Sequence, residues 1–137
     1  MNRADLQSLS KLRMREARIL FNAKSFSGAY YLAGYAVECA VKACIAKSTK
    51  EFDFPDKDRV IKSYSHKIAD LIKVAELSAD FEKERHANSK FAAGWNVVNN
   101  WSEQSRYQIW SGAEAEAMID AVERTQDGVL QWIMRYW

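Results

Sequence analysis

The sequence predicts an all-α protein, a single domain (residues 1–137) built as an up-and-down bundle of four to five helices. A chain of 137 residues is long enough for one hydrophobic core and too short for two ordinary ones. Hydrophobic residues make up 48% of the chain and charged residues 28%, which excludes general disorder. Five Gly and one Pro are too few for a turn-rich β-sandwich, and apolar residues recur at helical spacing along most of the chain.

Two long helices are predicted at the start of the chain. Residues 3–23 place leucines at helical spacing with arginines between them. Residues 28–47 are apolar on nearly every side, which is typical of the central helix of a bundle, and either Ser25 or Ser27 is expected to cap this helix. Its small residues recur every three to four positions and allow another helix to approach closely: Ala29, Ala33, Ala36, Ala40 and Ala43.

The rest of the chain is predicted to alternate loops and helices. Residues 48–64 contain the only Pro and mixed charges without periodicity, so we expect a surface loop, followed by a third helix at 66–77. After a short turn at Ser78, further segments are expected: a helix at 91–101, a loop or bent segment at 102–112, and a last helix at 113–135 opened by a capping box from Ser111 to Glu114. The aromatic tail, 132–137, is expected to pack against the first helix or across a dimer interface.

The two cysteines, Cys39 and Cys44, are predicted to be reduced and buried. Five residues apart in one helix, they lie on different sides of it and cannot form a disulfide. A zinc site would need more ligands than His66 and His86 supply. No glycine-rich phosphate loop, metal motif or nucleophile triad signature is present, so we expect no metal and no cofactor.

The net charge of +2 is distributed unevenly along the chain. Residues 1–68 carry 13 Lys/Arg and 7 Asp/Glu, whereas residues 69–137 carry 7 and 11. Such asymmetry marks a nucleic-acid face or self-association through opposite patches, unless the two halves interleave in space. No apolar stretch is long enough to cross a membrane and the N-terminus is polar, so we expect a cytoplasmic protein.

Three segments resemble the HEPN family of small helical bundles, which are usually homodimers. They are Ala29–Glu38 with Lys42, Ser65–Ile68, and Arg106-Tyr107 ahead of the last helix. Their order and spacing fit from about residue 15 to the C-terminus. The resemblance implies a role around RNA or nucleotides, in many members as a toxin beside a small nucleotidyltransferase antitoxin or in defence against phage.

Family members that cut RNA carry an Arg and, a few residues later, a His near the start of a late helix. There the His moves a proton at the ribose and the Arg stabilises charge on the phosphate. In this chain no His follows Arg106, and Arg85 and His86 are adjacent. Arg59 and His66 have six residues between them but precede the third helix. The usual pair is therefore missing at its expected place, and His66 and Arg106 are the candidate catalytic residues.

Glu38 and Lys42, four residues apart, are charged residues on an otherwise apolar helix. They form either an intrahelical ion pair worth about 0.2–0.5 kcal/mol or part of a buried polar pocket. In the second interpretation Arg106 is a further partner of Glu38, and Tyr35 lines the same pocket. Together with two aromatic residues near Arg106, these side chains form the candidate ligand-binding set: Tyr35, Glu38, Lys42, Trp101 and Tyr107.

The remaining candidates each have a structural and a functional interpretation. His66 either completes a helix cap or acts as a general acid–base or phosphate contact, whereas His86 is expected to be a surface residue. Arg106 either stacks on Trp101 or Trp110 to hold a bend, or binds phosphate while an aromatic ring stacks on a base. The first helix carries a basic face that is either solvated or an RNA footprint: Lys11, Arg13, Arg15 and Arg18.

The leading hypothesis from the sequence is an RNA- or nucleotide-interacting protein of the toxin or defence kind. Its ribonuclease chemistry would use His66 and Arg106 if these meet in one cleft. The alternative is a catalytically inactive bundle that binds a partner protein or a nucleotide, in which the same residues hold the structure together.

Overall fold

The computed structural model describes residues 1–137 and contains eight α-helices, one 3₁₀ helix (Glu103–Tyr107) and no strand. The all-α prediction is confirmed, whereas the predicted number of helices is wrong because capped breaks divide the longer segments. No helix is both long and apolar enough to span a membrane. In chain order the helices are α1 (Arg3–Asn22), α2 (Phe26–Ser48), α3 (Lys57–Ser63), α4 (Ile68–Val74), α5 (Ser78–Ala87), α6 (Ser89–Val98), α7 (Gly112–Glu123) and α8 (Val129–Ile133).

Helix α2 is the centre of the bundle, as its composition predicts. It packs against α1, α4, α7, α8 and the 3₁₀ helix, and 13 of its 23 residues are buried. The five alanines of its small-residue stripe have no exposed surface, and α1 lies close enough for the Ser10 hydroxyl to donate to the Ala36 carbonyl at 2.7 Å. Ser25 occupies the N-cap position without a side-chain cap, while the Ser27 hydroxyl accepts from the Trp110 backbone N–H at 2.9 Å.

The segment expected to be a loop, 48–64, contains helix α3. Asp56 caps this helix by accepting from the Arg59 backbone N–H at 2.7 Å. The helix buries no residue, and the Arg59 guanidinium binds Glu76 at 3.2 Å and the hydroxyl of Ser48. Because α3 is held by a cap and one arginine and buries no apolar face, its sequence has no apolar periodicity. The prediction from periodicity therefore missed it.

Three boundaries in the second half also differ from the prediction. The third predicted helix is shorter, because the chain leaves α4 after Val74 and reaches a positive φ of 61° at Glu76. Ser78 begins helix α5 rather than a turn, and the break comes at Asn88, whose side chain accepts from the Phe91 N–H at 3.1 Å. The last predicted helix is divided into α7 and α8 by a tight turn at residues 124–128.

Gly128 makes the turn between α7 and α8 possible. A Cβ atom at this position would lie 2.4 Å from the Arg124 carbonyl oxygen and 2.8 Å from that of Val122. Only glycine allows the two backbone segments to approach this closely. The capping box of Ser111 and Glu114 at the start of α7 is confirmed.

The C-terminal tail packs against helices of the same chain, including α1, which agrees with one of its two predicted placements. The ammonium of Lys11 on α1 lies 5.5 Å from the centre of the Trp137 ring. Trp132 is 2% exposed and contacts aromatic rings of α5 and α6, with ring centres 5.7 Å from Phe81 and 5.6 Å from Phe91. The tail therefore joins the first helix to the second half of the bundle.

Both cysteines are free and buried, as predicted, and burial raises the pKa of each thiol to about 11. The folded-state pKa exceeds the ordinary value of 9.0, so the unfolded chain loses these protons first. We therefore expect the contribution of the thiols to the free energy of unfolding to be constant below about pH 9 and to be lost between about pH 9 and 11. Urea unfolding at a series of pH values measures this loss.

A variant with both Cys39→Ala and Cys44→Ala serves as the control for the thiol titration. Its free energy of unfolding should fall less between about pH 9 and 11 than that of the wild type, because the ionising groups have been removed. Burial also raises the pKa of Tyr30, to about 12, so this tyrosine accounts for a residual loss in both proteins. An equal loss in both proteins would contradict the prediction.

Candidate functional site

One stripe of α2 remains partly open to solvent while its other sides are covered. Between residues 31 and 46 the half-buried positions are Tyr31, Leu32, Tyr35, Lys42 and Ala46. All of them except Leu32 lie on one face of the helix, together with the buried Glu38. We call the set Tyr31, Tyr35, Glu38 and Lys42 the α2 stripe.

Glu38 is the buried centre of a cluster of three charged or titratable side chains. Only 2% of its side chain is exposed, and its Oε1 atom accepts a hydrogen bond from Lys42 Nζ at 2.8 Å. The Nδ1 atom of His66 lies 3.0 Å from the same oxygen. The ion pair of the first interpretation is present, and His66 is the further partner of Glu38 that the second interpretation assigned to Arg106.

His66 reaches Glu38 because the chain turns immediately before α4. The N-cap residue of α4 is Lys67, whose backbone N–H donates to the Ser65 hydroxyl at 3.1 Å. His66 does not cap α4, so that interpretation of His66 is wrong. Its side chain is half exposed and lies against α2 instead.

The carboxylate of Glu38 determines which nitrogen of His66 faces the protein. An ionised carboxylate only accepts hydrogen bonds, so Nδ1 must be the donor to Oε1. Nε2 then has no partner within the chain and is available to accept or release a proton. A carboxylate that orients an imidazole in this way is a recurring arrangement in catalytic and ligand-binding sites.

The second oxygen of Glu38 has no hydrogen-bond partner. Oε2 is buried, and no donor group of the protein reaches it. Buried acceptors without a partner cost about 1–3 kcal/mol each, so they are uncommon in folded proteins and concentrate where function needs them. Oε2 is therefore an unpaired buried acceptor next to the Lys42 and His66 contacts.

Tyr35 extends the site along the α2 stripe. Burial raises the pKa of Tyr35, and the nearby Cys39 thiol and Glu38 carboxylate raise it further, whereas Arg13 lowers it. The phenol is therefore neutral over the physiological range. Its ring is stacked against that of Tyr31, with centres 6.2 Å apart and planes 13° apart.

Arg106 lies at the other end of the stripe. Its guanidinium is 4.9 Å from the centre of the Tyr107 ring, and Tyr107 and, less strongly, Tyr31 raise its pKa by hydrogen bonding and charge. Arg106 forms no ion pair with Glu38 and does not stack on an indole, so both of those expectations are wrong. Tyr31 and Glu38 are seven residues apart, a rise of about 10 Å.

Trp101 packs against the Tyr31 end of the stripe. It is 3% exposed, its Nε1 atom donates to the Tyr31 carbonyl at 3.1 Å, and its ring lies 5.7 Å from that of Tyr31. Tyr107, in contrast, is 72% exposed. The structure therefore gives Trp101 a packing role and leaves Tyr107 open to a ligand.

Most of the basic face of α1 is engaged within the chain. Arg13 pairs with Glu16, Arg18 Nε bonds Glu123 of α7 at 2.6 Å, and Lys11 lies over Trp137. The pairing of α1 with α7 joins the basic and acidic halves of the sequence. His86 is exposed at the surface of α5, as predicted, 3.5 Å from Glu82.

Sequence analysis did not place Tyr31 in the site, and it assigned Arg13 only to the basic face of the first helix. The spacing of Tyr31, Tyr35, Glu38 and Lys42 was visible in the sequence as one helix face. Their shared exposure was not visible, because it depends on which sides of α2 its neighbours cover. Arg13 belongs to another helix, and only the packing of α1 on α2 brings it near Tyr35.

Comparison with known proteins gives one match. A family model described as the HEPN domain matches residues 8–135, which is nearly the whole chain. The range includes α2, the Glu38 cluster and Arg106. No curated protein and no solved structure matches the chain significantly.

Proposed function

Because the chain belongs to the HEPN domain family, we propose that it interacts with RNA or a nucleotide through Glu38, Lys42 and His66. The observation that carries the proposal is the hydrogen bond between His66 Nδ1 and the buried Glu38 Oε1 at 3.0 Å. This bond leaves Nε2 free at the surface. The Lys42 ammonium on the same oxygen supplies a positive charge for a phosphate.

Ribonuclease chemistry at this cluster would begin at His66. Nε2 accepts the proton of a ribose 2′-hydroxyl, and the 2′-oxygen attacks the adjacent phosphorus. The bond from phosphorus to the 5′-oxygen breaks, and the leaving oxygen takes a proton from water, which leaves a 2′,3′-cyclic phosphate. Lys42 stabilises the charge that develops on the phosphoryl oxygens, and Glu38 stabilises the imidazolium of His66.

The second candidate function is a catalytically inactive bundle that binds a nucleotide or a partner protein. The absence of any His after His86 favours it, because the arginine–histidine pair of RNA-cutting relatives has no counterpart here. The separation of Arg106 from the His66 cluster favours it as well. In this case the cluster binds a phosphate without transferring a proton.

The biological setting that we propose follows from the family. A cytoplasmic homodimer acts in a toxin–antitoxin or phage-defence system, with a nucleotidyltransferase-type antitoxin as its partner. The bundle offers such a partner an exposed apolar segment between α2 and α3, where Phe52 and Phe54 are 96% and 97% exposed.

Cleavage of end-labelled RNA by the purified protein tests the two candidates. We expect wild type to give products with 2′,3′-cyclic phosphate ends, and His66→Ala to reduce the rate about 10²–10⁴-fold. Glu38→Gln should also reduce it, because the amide neither fixes Nδ1 of His66 as the donor nor stabilises the imidazolium. Arg106→Ala should raise KM more than it lowers kcat, since Arg106 lies away from the proton-transferring group.

His86→Ala is the matched control for this experiment, since His86 is exposed and lies outside the α2 stripe. It should cleave as wild type does. Cleavage that His66→Ala leaves unchanged would remove His66 from the site. RNA or nucleotide binding without cleavage by wild type would favour the inactive bundle.

A further inference from the structure

The α2 stripe is longer than the Glu38 cluster requires. Lys42 is eleven positions after Tyr31, which corresponds to about 16 Å along the helix. The His66 contact occupies only the Lys42 end of this length. The other half is formed by two half-buried tyrosine rings stacked on each other.

Three cations lie on α2 or on elements packed against it. Lys42 ends the stripe next to His66, Arg13 is on α1, and Arg106 belongs to the 3₁₀ helix. Two carboxylates oppose them, the buried Glu38 and Glu16, which is paired with Arg13. A row of aromatic rings bordered by cations is the arrangement with which proteins bind unpaired nucleotides.

We propose that the α2 stripe is a binding track for single-stranded RNA, with bases stacked on Tyr31 and Tyr35. Arg106 and Arg13 contact phosphates along the track, and Lys42 contacts the phosphate next to His66. The inference rests on the proposed function and deepens it, because it specifies an oligonucleotide in place of a mononucleotide. It also gives Arg106 and His66 a common ligand although they do not touch each other.

The chemistry of the stripe favours unpaired RNA over two other ligands. A duplex keeps its base faces stacked inside the helix, so tyrosine rings cannot reach them. An apolar helix of a partner protein would need an aliphatic groove. The stripe instead presents aromatic and charged side chains, with polar hydroxyls at Tyr31 and Tyr35.

Fluorescence anisotropy with a labelled 2′-O-methyl RNA of mixed sequence, about eight nucleotides long, tests the track. This probe lacks the 2′-hydroxyl, so binding is measured without cleavage. Tyr35→Leu should weaken binding about tenfold, whereas Tyr35→Phe should bind as wild type because the ring face is retained. Arg106→Ala should reduce the slope of log K against log salt concentration by about 0.7, the value for one lost phosphate contact on a single strand.

Tyr136→Leu is the matched control, because Tyr136 is also half-buried and contacts one aromatic neighbour, Trp132, at a centre distance of 5.0 Å. It should bind RNA as wild type does, and thermal melting compares its folding with that of Tyr35→Leu. Uridine monophosphate and a duplex of the same sequence should compete at least tenfold more weakly than the single strand.

The outcomes separate this inference from the proposed function. Unchanged binding by Tyr35→Leu, or equal competition by the mononucleotide, overturns the track. If His66→Ala loses binding in the same experiment, the Glu38 cluster remains a nucleotide site. Absence of binding by wild type to RNA and mononucleotide alike overturns both. A Tyr35→Leu variant that loses a protein complex but keeps RNA binding assigns the stripe to a protein and overturns the track.

Discussion

Replacing Gly34 with alanine is expected to lower the free energy of unfolding by about 3 kcal/mol. A Cβ atom at Gly34 would lie 2.2 Å from Cδ1 and 2.4 Å from Nε1 of Trp101. The indole cannot move away freely, because it is 3% exposed and donates to the Tyr31 carbonyl at 3.1 Å. The substitution therefore forces the indole out of its place, and urea unfolding measures the cost.

Gly94→Ala is the matched control, since it makes the same change inside another helix. The nearest atoms to a Cβ at Gly94 belong to Ala121 and lie at 3.5 Å, an ordinary contact distance. Because alanine favours the helix by about 1 kcal/mol over glycine, Gly94→Ala should be neutral or stabilising. Equal changes in the free energy of unfolding of the two variants would show that the contact with Trp101 is not the reason for glycine at position 34.

Trp132→Ala is expected to destabilise the protein by about 3–5 kcal/mol. The side chain is 2% exposed, and its ring joins Phe81 of α5, Phe91 of α6 and Tyr136 of the tail, at centre distances from 5.0 to 5.7 Å. Its removal leaves a cavity where these elements meet and also loses the aromatic pairs. A domain of this size has a total stability of about 5–15 kcal/mol, so the variant should be largely unfolded at mild urea concentrations.

Trp137→Ala tests whether the loss comes from the buried aromatic cluster or from the tail in general. Trp137 is half-buried and contacts the Lys11 ammonium at 5.5 Å. An exposed cation–π contact is worth about 0.5–1 kcal/mol, so Trp137→Ala should destabilise far less than Trp132→Ala. Comparable losses in the two variants would show that the tail acts as one unit.

The sequence was sufficient to predict the two long helices at the start of the chain, because burial gave them a clear apolar pattern. Helix α1 begins where it was expected and α2 within two residues of its predicted start. Helix α3 could not be found in this way, since it buries no residue and depends on the Asp56 cap and Arg59. The turn between α7 and α8 was missed because its cause, the close backbone contact at Gly128, is a tertiary feature.

The candidate site was predicted by residue type and only in part by arrangement. Glu38, Lys42 and His66 were each named from the sequence, and the structure brings them together on one carboxylate oxygen. The expected contact between Glu38 and Arg106 does not form; Arg106 lies over the Tyr107 ring, and His66 takes the place beside Glu38. Distances along a helix can be calculated from sequence, but the point where a later segment meets that helix cannot.

The buried polar groups of α2 also determine its register against its neighbours. A helix with alanines every three to four residues presents nearly the same surface after a shift of one turn, so apolar contact alone discriminates weakly between alignments. The His66 bond to Glu38 forms in only one alignment, because both partners are side chains at fixed positions. Any other would leave the buried Glu38 carboxylate with Lys42 of the same helix as its only partner. The charged residues on this apolar helix thus select one native packing among several of similar hydrophobic energy.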